Sequence, residues 1–202
     1  AILRTVAAST DIISSYRNSN EPETSPDINT HPIYNSPLTC KSLGGDKAYM
    51  ALISDKKLTL SDGREVYIRS ARTRDARGLA RFKFEMLRTS DHLNTRVEEA
   101  RLTTGGERRF IKRIEACDDE IAVIAFYDGD IIASLETLTD RRAKLKHSTL
   151  LGLSVAKAFR GKGIGRALLH CCLNWAKSHS NLERVELHVH GDNARAIALY
   201  KE

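Results

Sequence analysis

The sequence predicts a mixed α/β domain, and three observations carry that prediction. Apolar runs of strand length alternate with longer stretches of helical period from Leu58 onward. Two of those runs, EIAVIAFY and DIIASLETL, flank Asp128-Gly129. That dipeptide suits a two-residue type I′ turn, in which both central residues need positive φ, so the two strands should be antiparallel neighbours. A further apolar run, STLLGLSV, feeds through a glycine-rich turn into a helical stretch.

Taken in order, LTLSDGREVYIRSA gives a short strand, a turn at Asp62-Gly63 and a second strand. Thr73 then reads as the cap of an amphipathic helix that carries Leu79, Phe82 and Met86. Thr95 and Glu98 make a capping box, and Gly105-Gly106 interrupts that region ahead of Phe110, Ile111 and Ile114, so the second helical region is expected in two pieces. After the hairpin and STLLGLSV, the residues Ile164, Leu168, Cys172 and Trp175 recur every three or four positions, as one buried helix face does. RVELHVH alternates Val185, Leu187 and Val189 with polar residues as a strand, and DNARAIALYKE opens a last helix.

All four prolines (Pro22, Pro26, Pro32, Pro37) fall in a Ser/Thr/Asn-rich stretch with no hydrophobic period. Residues 1–57 are therefore expected to form an extended or poorly ordered arm, because they cannot bury enough apolar surface to offset ordering; the domain is expected at 58–202. A chain of 202 residues with 41% hydrophobic composition can bury one domain core. No apolar run reaches the roughly 18 residues of a membrane helix, and the first residues are too short an apolar stretch for a secretion signal, so a cytoplasmic location without a membrane partner is expected. Cys40, Cys117, Cys171 and Cys172 follow no metal spacing, and the adjacent pair suits no disulfide framework. A net charge of +6 favours an anionic partner: a phosphorylated cofactor, an acidic substrate or nucleic acid.

The turn FRGKGIG, residues 159–165, is where chemistry concentrates. Gly161, Gly163 and Gly165 bare the backbone just where a helix begins, and unpaired N–H groups and aligned peptide dipoles there favour an anion. Arg160, Lys162 and Arg166 add positive charge. A dinucleotide fingerprint needs its third glycine one position later, where Arg166 stands, and a P-loop's G-x-x-x-x-G-K-[ST] is absent.

The spacing instead resembles the Q/R-x-x-G-x-G/A motif of the bacterial-type GCN5-related N-acetyltransferases (GNAT family), at Arg160, Gly163 and Gly165. LGLSV looks like that family's fourth strand, LLHCCLNWAK like its third helix, VELHV like its fifth strand, and NARAIALYK like its N-x-x-A-x-x-L-Y segment, so the likeness covers about residues 58–202. The resemblance implies a GNAT fold, a central, mostly antiparallel twisted sheet splayed between the fourth and fifth strands and flanked by helices. The two strands that close this fold are not in the sequence, so the chain is expected to be truncated.

The resemblance also implies acetyl-coenzyme A as cosubstrate, a primary amine of a small molecule or protein as acceptor, and no metal. Backbone amides from Gly161 through Ile164 to Arg166 would hold the pyrophosphate, and edge amides around Leu153, Ser154 and Val155 would bond the pantetheine arm. Asn193 would contact the cofactor; Tyr200, a phenol with a pKa near about 10, would protonate the departing thiolate. A lysine-like amine with a pKa of about 10.4 is neutral only about once in 2,500 at pH 7, so a base matters. Many relatives carry a carboxylate on the fourth strand, but here that run is Leu150-Leu151-Gly152-Leu153. Glu136 on the neighbouring strand is the first candidate and His147 the second, with a water chain equally open.

Other features carry less chemistry. His188 and His190 with Glu186 read as a polar strand face, Cys171 and Cys172 as apolar fillers, and ERRFIKR as a solvated basic helix face. The competing functions are a degenerate acyl-coenzyme A binding module and, on charge alone, a basic nucleic-acid-binding domain. A homodimer is left open.

Overall fold

A computed structural model describes residues 53, 55–93, 97–179 and 181–201. Its sheet grows outward from the predicted hairpin. Strands β3 (Ala122–Tyr127) and β4 (Asp130–Thr139) pair antiparallel, and Asp128 and Gly129 take φ values of 50° and 82°, as a type I′ turn requires. β1 (Lys56–Thr59) and β2 (Glu65–Ser70) add on one side, and β5 (Ser148–Val155) and β6 (Arg184–Leu187) on the other, in the order β1-β2-β3-β4-β5-β6. Every neighbouring pair is antiparallel except β5–β6, which is parallel. The strand begins at Lys56 and Ile53 packs on the core, so ordered packing reaches back past Leu58.

Among the described residues four α-helices cover the sheet: α1 (Ala76–Thr89), α2 (Thr104–Glu115), α3 (Ile164–Lys177) and α4 (Ala194–Lys201). On one face α1 and α2 bury Leu79, Phe82, Met86, Phe110, Ile111 and Ile114 against Ile124 and Leu138. On the other, α3 buries Ile164, Leu168, Cys172 and Trp175 against Val66, Val123, Leu135 and Leu151. The helical periods read from sequence thus set both layers. None of the described helices is long and apolar enough to cross a membrane.

Three local expectations are corrected. Thr73 opens a short 3-10 turn (Thr73–Asp75) rather than capping α1; Asp75 ends that turn, its carboxylate accepting from Arg72 N at 2.8 Å and Arg69 Nη1 at 2.7 Å. Gly105-Gly106 does not break a helix but lies in the first turn of α2. Thr103 Oγ1 accepts from Gly106 N at 3.0 Å, and a Cβ on Gly106 would crowd that hydroxyl at 3.1 Å. Thr95 lies outside the described residues, and Glu98 is in a turn. β6 ends at Leu187, leaving Val189 beyond the strand.

Candidate active site

The site begins where two strands part. β5 and β6 pair only from Ser148↔Arg184 to Leu151↔Leu187, whereas β4 stays paired with β5 through Ala133↔Val155. Gly152, Leu153, Ser154 and Val155 therefore keep a strand neighbour on the β4 side alone among the described residues. Ala156 N donates to Ile132 O at 2.8 Å with Val155 opposite Ala133. The alternation of an antiparallel ladder then turns the N–H groups of Leu153 and Val155 away from β4, toward the gap that β6 has left.

The glycine turn stands at the end of that gap, and its three glycines have different reasons. Gly161 (φ 74°) and Gly163 (φ 86°) occupy the left-handed region, and a Cβ on either would meet nothing within 4 Å, so each is required by backbone conformation and leaves open space above it. Gly165 is required by packing: its Cβ would lie 3.2 Å from Leu199 Cδ2 of α4, with Leu153 Cδ2 at 3.7 Å and Val155 Cγ2 at 3.8 Å. That contact gathers the open end of β5, the start of α3 and α4 at one point. The first bond of the α3 ladder runs from Ala167 N to Gly163 O at 3.0 Å, so the N–H groups of Ile164 and Gly165 have no acceptor inside the helix.

The cations of the turn are partly committed. Arg160 Nε donates to Val155 O at 2.8 Å, bracing the strand end. Lys162 Nζ lies 2.5 Å from Asp62 Oδ2 on the β1–β2 turn; Arg64 and Lys162 hold that carboxyl well below the usual carboxylate range. Arg166 is exposed on the first turn of α3.

Asn193 caps α4, its Oδ1 accepting from Ala196 N at 3.2 Å, and Tyr200 lies near the helix end. Burial raises the Tyr200 phenol above its ordinary value, so it stays protonated at neutral pH and can donate. Glu136 stands opposite Gly152 across the β4–β5 pair, where Gly152 is exposed and a Cβ would meet nothing within 4 Å. Glu136 is thus beside open space on the α1–α2 face of the sheet. His147 is elsewhere: it precedes β5 at the closed end, about 17 Å from Gly152 at roughly 3.3 Å per residue, and its carbonyl accepts from Glu183 N and Arg184 N.

Two residues that sequence reasoning passed over converge on Glu136. Lys83 Nζ of α1 lies 2.8 Å from Glu136 Oε1 and 2.9 Å from Glu107 Oε2 of α2, and its ammonium sits 4.6 Å from the Phe110 ring centroid. The signal was present: Lys83 falls inside the stripe Leu79, Phe82, Met86, and Glu107 inside the stripe that continues through Phe110, Ile111 and Ile114. A charge inside an apolar stripe needs a partner. ERRFIKR is solvated on one side only: Arg108, Arg109 and Lys112 are exposed, whereas Glu107, Phe110 and Ile111 are buried and Arg113 reaches Glu120.

Among the described residues no group of three or more His, Cys, Asp and Glu side chains is arranged to hold a metal. His188 and His190 lie past the end of β6; the His190 ring centroid is 6.1 Å from that of His92. Cys171 and Cys172 are buried, and burial pushes the Cys172 thiol up to about 12, which removes it as a thiolate nucleophile.

An open strand edge meeting a glycine-lined helix start is the arrangement of one acyl-transfer class, and comparison with known proteins agrees. The profile of the Acetyltransferase (GNAT) family matches residues 87–202. The chain belongs to that family. It is 28% identical to the L-amino acid N-acetyltransferase AaaT of Escherichia coli, with 68% of this chain and 81% of the relative covered. An acetyltransferase of the GNAT family from Streptococcus pneumoniae superposes with a TM-score of 0.65 at 26% identity, covering 67% of this chain and 81% of that one. A putative acetyltransferase from Salmonella typhimurium, solved with its cofactor acetyl-CoA, shares the fold with a TM-score of 0.59 at 15% identity, covering 66% and 75%. The mixed six-stranded sheet with four helices is the GNAT fold.

Proposed function

We propose that this protein is an N-acetyltransferase that moves an acetyl group from acetyl-CoA directly to a primary amine of a small molecule or protein. The observation that supports it most is the convergence at Gly165, where the open amides of β5, the Ile164 and Gly165 amides opening α3 and the packed α4 share one place. Bound acetyl-CoA supplies an activated acyl carbon and a thiolate leaving group. Around it, the backbone from Gly161 to Arg166 holds diphosphate oxygens, and the Leu153 and Val155 N–H groups bond the pantetheine amides as an added strand would. A backbone N–H near Leu153 polarises the thioester carbonyl, and Asn193 fixes the start of α4 beside the cofactor. Tyr200, kept neutral by burial, gives a proton to the departing sulfur. Glu136, the carboxylate next to exposed Gly152, takes the proton from the incoming ammonium.

The identity to an L-amino acid acetyltransferase puts free amino acids first among acceptors. The α-amine of a free amino acid is less basic than a lysine side chain and so asks somewhat less of a base, and the α-amine of a peptide, with a pKa near about 8, loses only about tenfold at pH 7. Calorimetry with acetyl-CoA should show binding that Gly163→Asp abolishes, because the substitution puts a strained residue and a negative charge where φ is 86° and an anion is held. Thiol release on adding amino acids, other amines or peptides then identifies the acceptor. Absence of binding by the wild type overturns the cofactor reading; binding without thiol release with any amine assigns a binding module instead.

A further inference from the structure

The Lys83–Glu107–Glu136 cluster has an unusual ratio of charges. Lys83 is paired with both carboxylates, and their side chains are only 18%, 9% and 13% exposed, respectively. The charged groups facing Glu136 are Lys83 from α1 and Glu107 from α2; at the same register β3 presents Ala122 and β5 presents Gly152, which add none. A buried carboxylate without a cation would hold its proton, and one paired singly with a lysine would resist taking one. Two carboxylates around one ammonium carry a formal charge of −1 and have room for one proton.

We propose that Lys83 and Glu107 are positioning residues for Glu136, so that the three side chains act as one proton-accepting unit opening to the acceptor at Gly152. This rests on the reading of Glu136 as the base. In the step concerned, an N–H bond of the acceptor ammonium breaks, its electron pair stays on nitrogen, and an O–H bond forms on Glu136, taking the unit from −1 to neutral; the proton later leaves to solvent past Gly152. Burial raises Glu107 although Lys83 opposes it, and Lys83, lowered by burial but raised more by its two carboxylates, remains an ammonium. The vacancy for a proton therefore lies on the carboxylates.

The test is the pH profile of kcat/KM for thiol release, with acetyl-CoA affinity measured alongside. Glu107→Gln leaves Lys83 wholly to Glu136 and should move the enzyme's acid-side inflection down by about one pH unit; Lys83→Met leaves two carboxylates without a cation and should move it up by about one. Lys83→Arg should return it toward the wild-type position. The acceptor's own inflection is common to all variants, and coenzyme affinity should not change. Opposite shifts support the proposal, since lost packing alone would not move the inflection in two directions. Unmoved inflections, or shifts in one direction only, overturn it. If Lys83→Met does not fold, Glu107→Gln decides alone: a downward shift supports the unit and an unmoved inflection overturns it. Full activity in Glu136→Gln defeats the base reading itself, whereas loss of activity there with unmoved inflections in the other variants defeats only the inference.

Discussion

Two buried charge clusters on this sheet use similar parts for opposite ends. At the start of β3, Glu120 is 0% exposed and is met by Arg113 Nη2 at 3.3 Å, Arg141 Nη2 at 3.0 Å and the backbone N–H of Thr139 at 3.1 Å. There Arg141 also pairs with Asp119, so two cations balance two carboxylates while Glu120 itself is shut off from solvent, and the cluster ties α2 and the end of β4 to β3. At Glu136 carboxylates outnumber the cation, and the neighbouring Gly152 leaves a way in. Charge balance and access, rather than residue type, separate a brace from a site that can exchange a proton.

Substitutions can break that contrast, and the largest effect falls on the brace. Glu120→Ala strands Arg113 and the Thr139 N–H in the interior and should cost about 3–5 kcal/mol of stability by denaturant titration, while the fraction that folds keeps its kcat. Glu136→Gln should do the reverse, lowering kcat/KM by about 100-fold or more with little change in melting temperature or acetyl-CoA affinity. Tyr200→Phe should lower kcat by about tenfold, since a thiol near a pKa of about 8.5 leaves without much help; thiol release as fast as in the wild type would remove Tyr200 as the acid.

The smallest effect is on stability against pH. Burial raises the Glu107 carboxyl, so the folded protein keeps a proton that the unfolded chain has released. Between the ordinary glutamate range and the raised value, stability should therefore fall as pH rises. Denaturation midpoints of Glu107→Gln should be flatter across that window than those of the wild type.

Much of this was legible without coordinates. Asp128-Gly129, Gly161 and Gly163 mark positive-φ positions directly, because few other residues adopt those conformations at low cost. The helix stripes gave both core faces, because a 3.6-residue period is a local property. Gly105-Gly106 misled for an equally physical reason: propensity disfavours glycine within a helix, but the Thr103 cap bond and the buried stripe after it outweigh a cost of about 1 kcal/mol each. His147 looked as eligible as Glu136 because sequence distance along a strand says nothing about which end of it is open.

By itself, the sequence determined the hairpin, the bare turn before α3 and the apolar faces, all of which depend on a residue and its near neighbours. Only the tertiary structure decided where β6 leaves β5, that Gly165 is needed by Leu199, and that Lys83 meets carboxylates 24 and 53 positions away in the chain. Such meetings arise from packing two helices on one strand, and a side chain's charge acts on whatever the fold brings within a few ångströms of it.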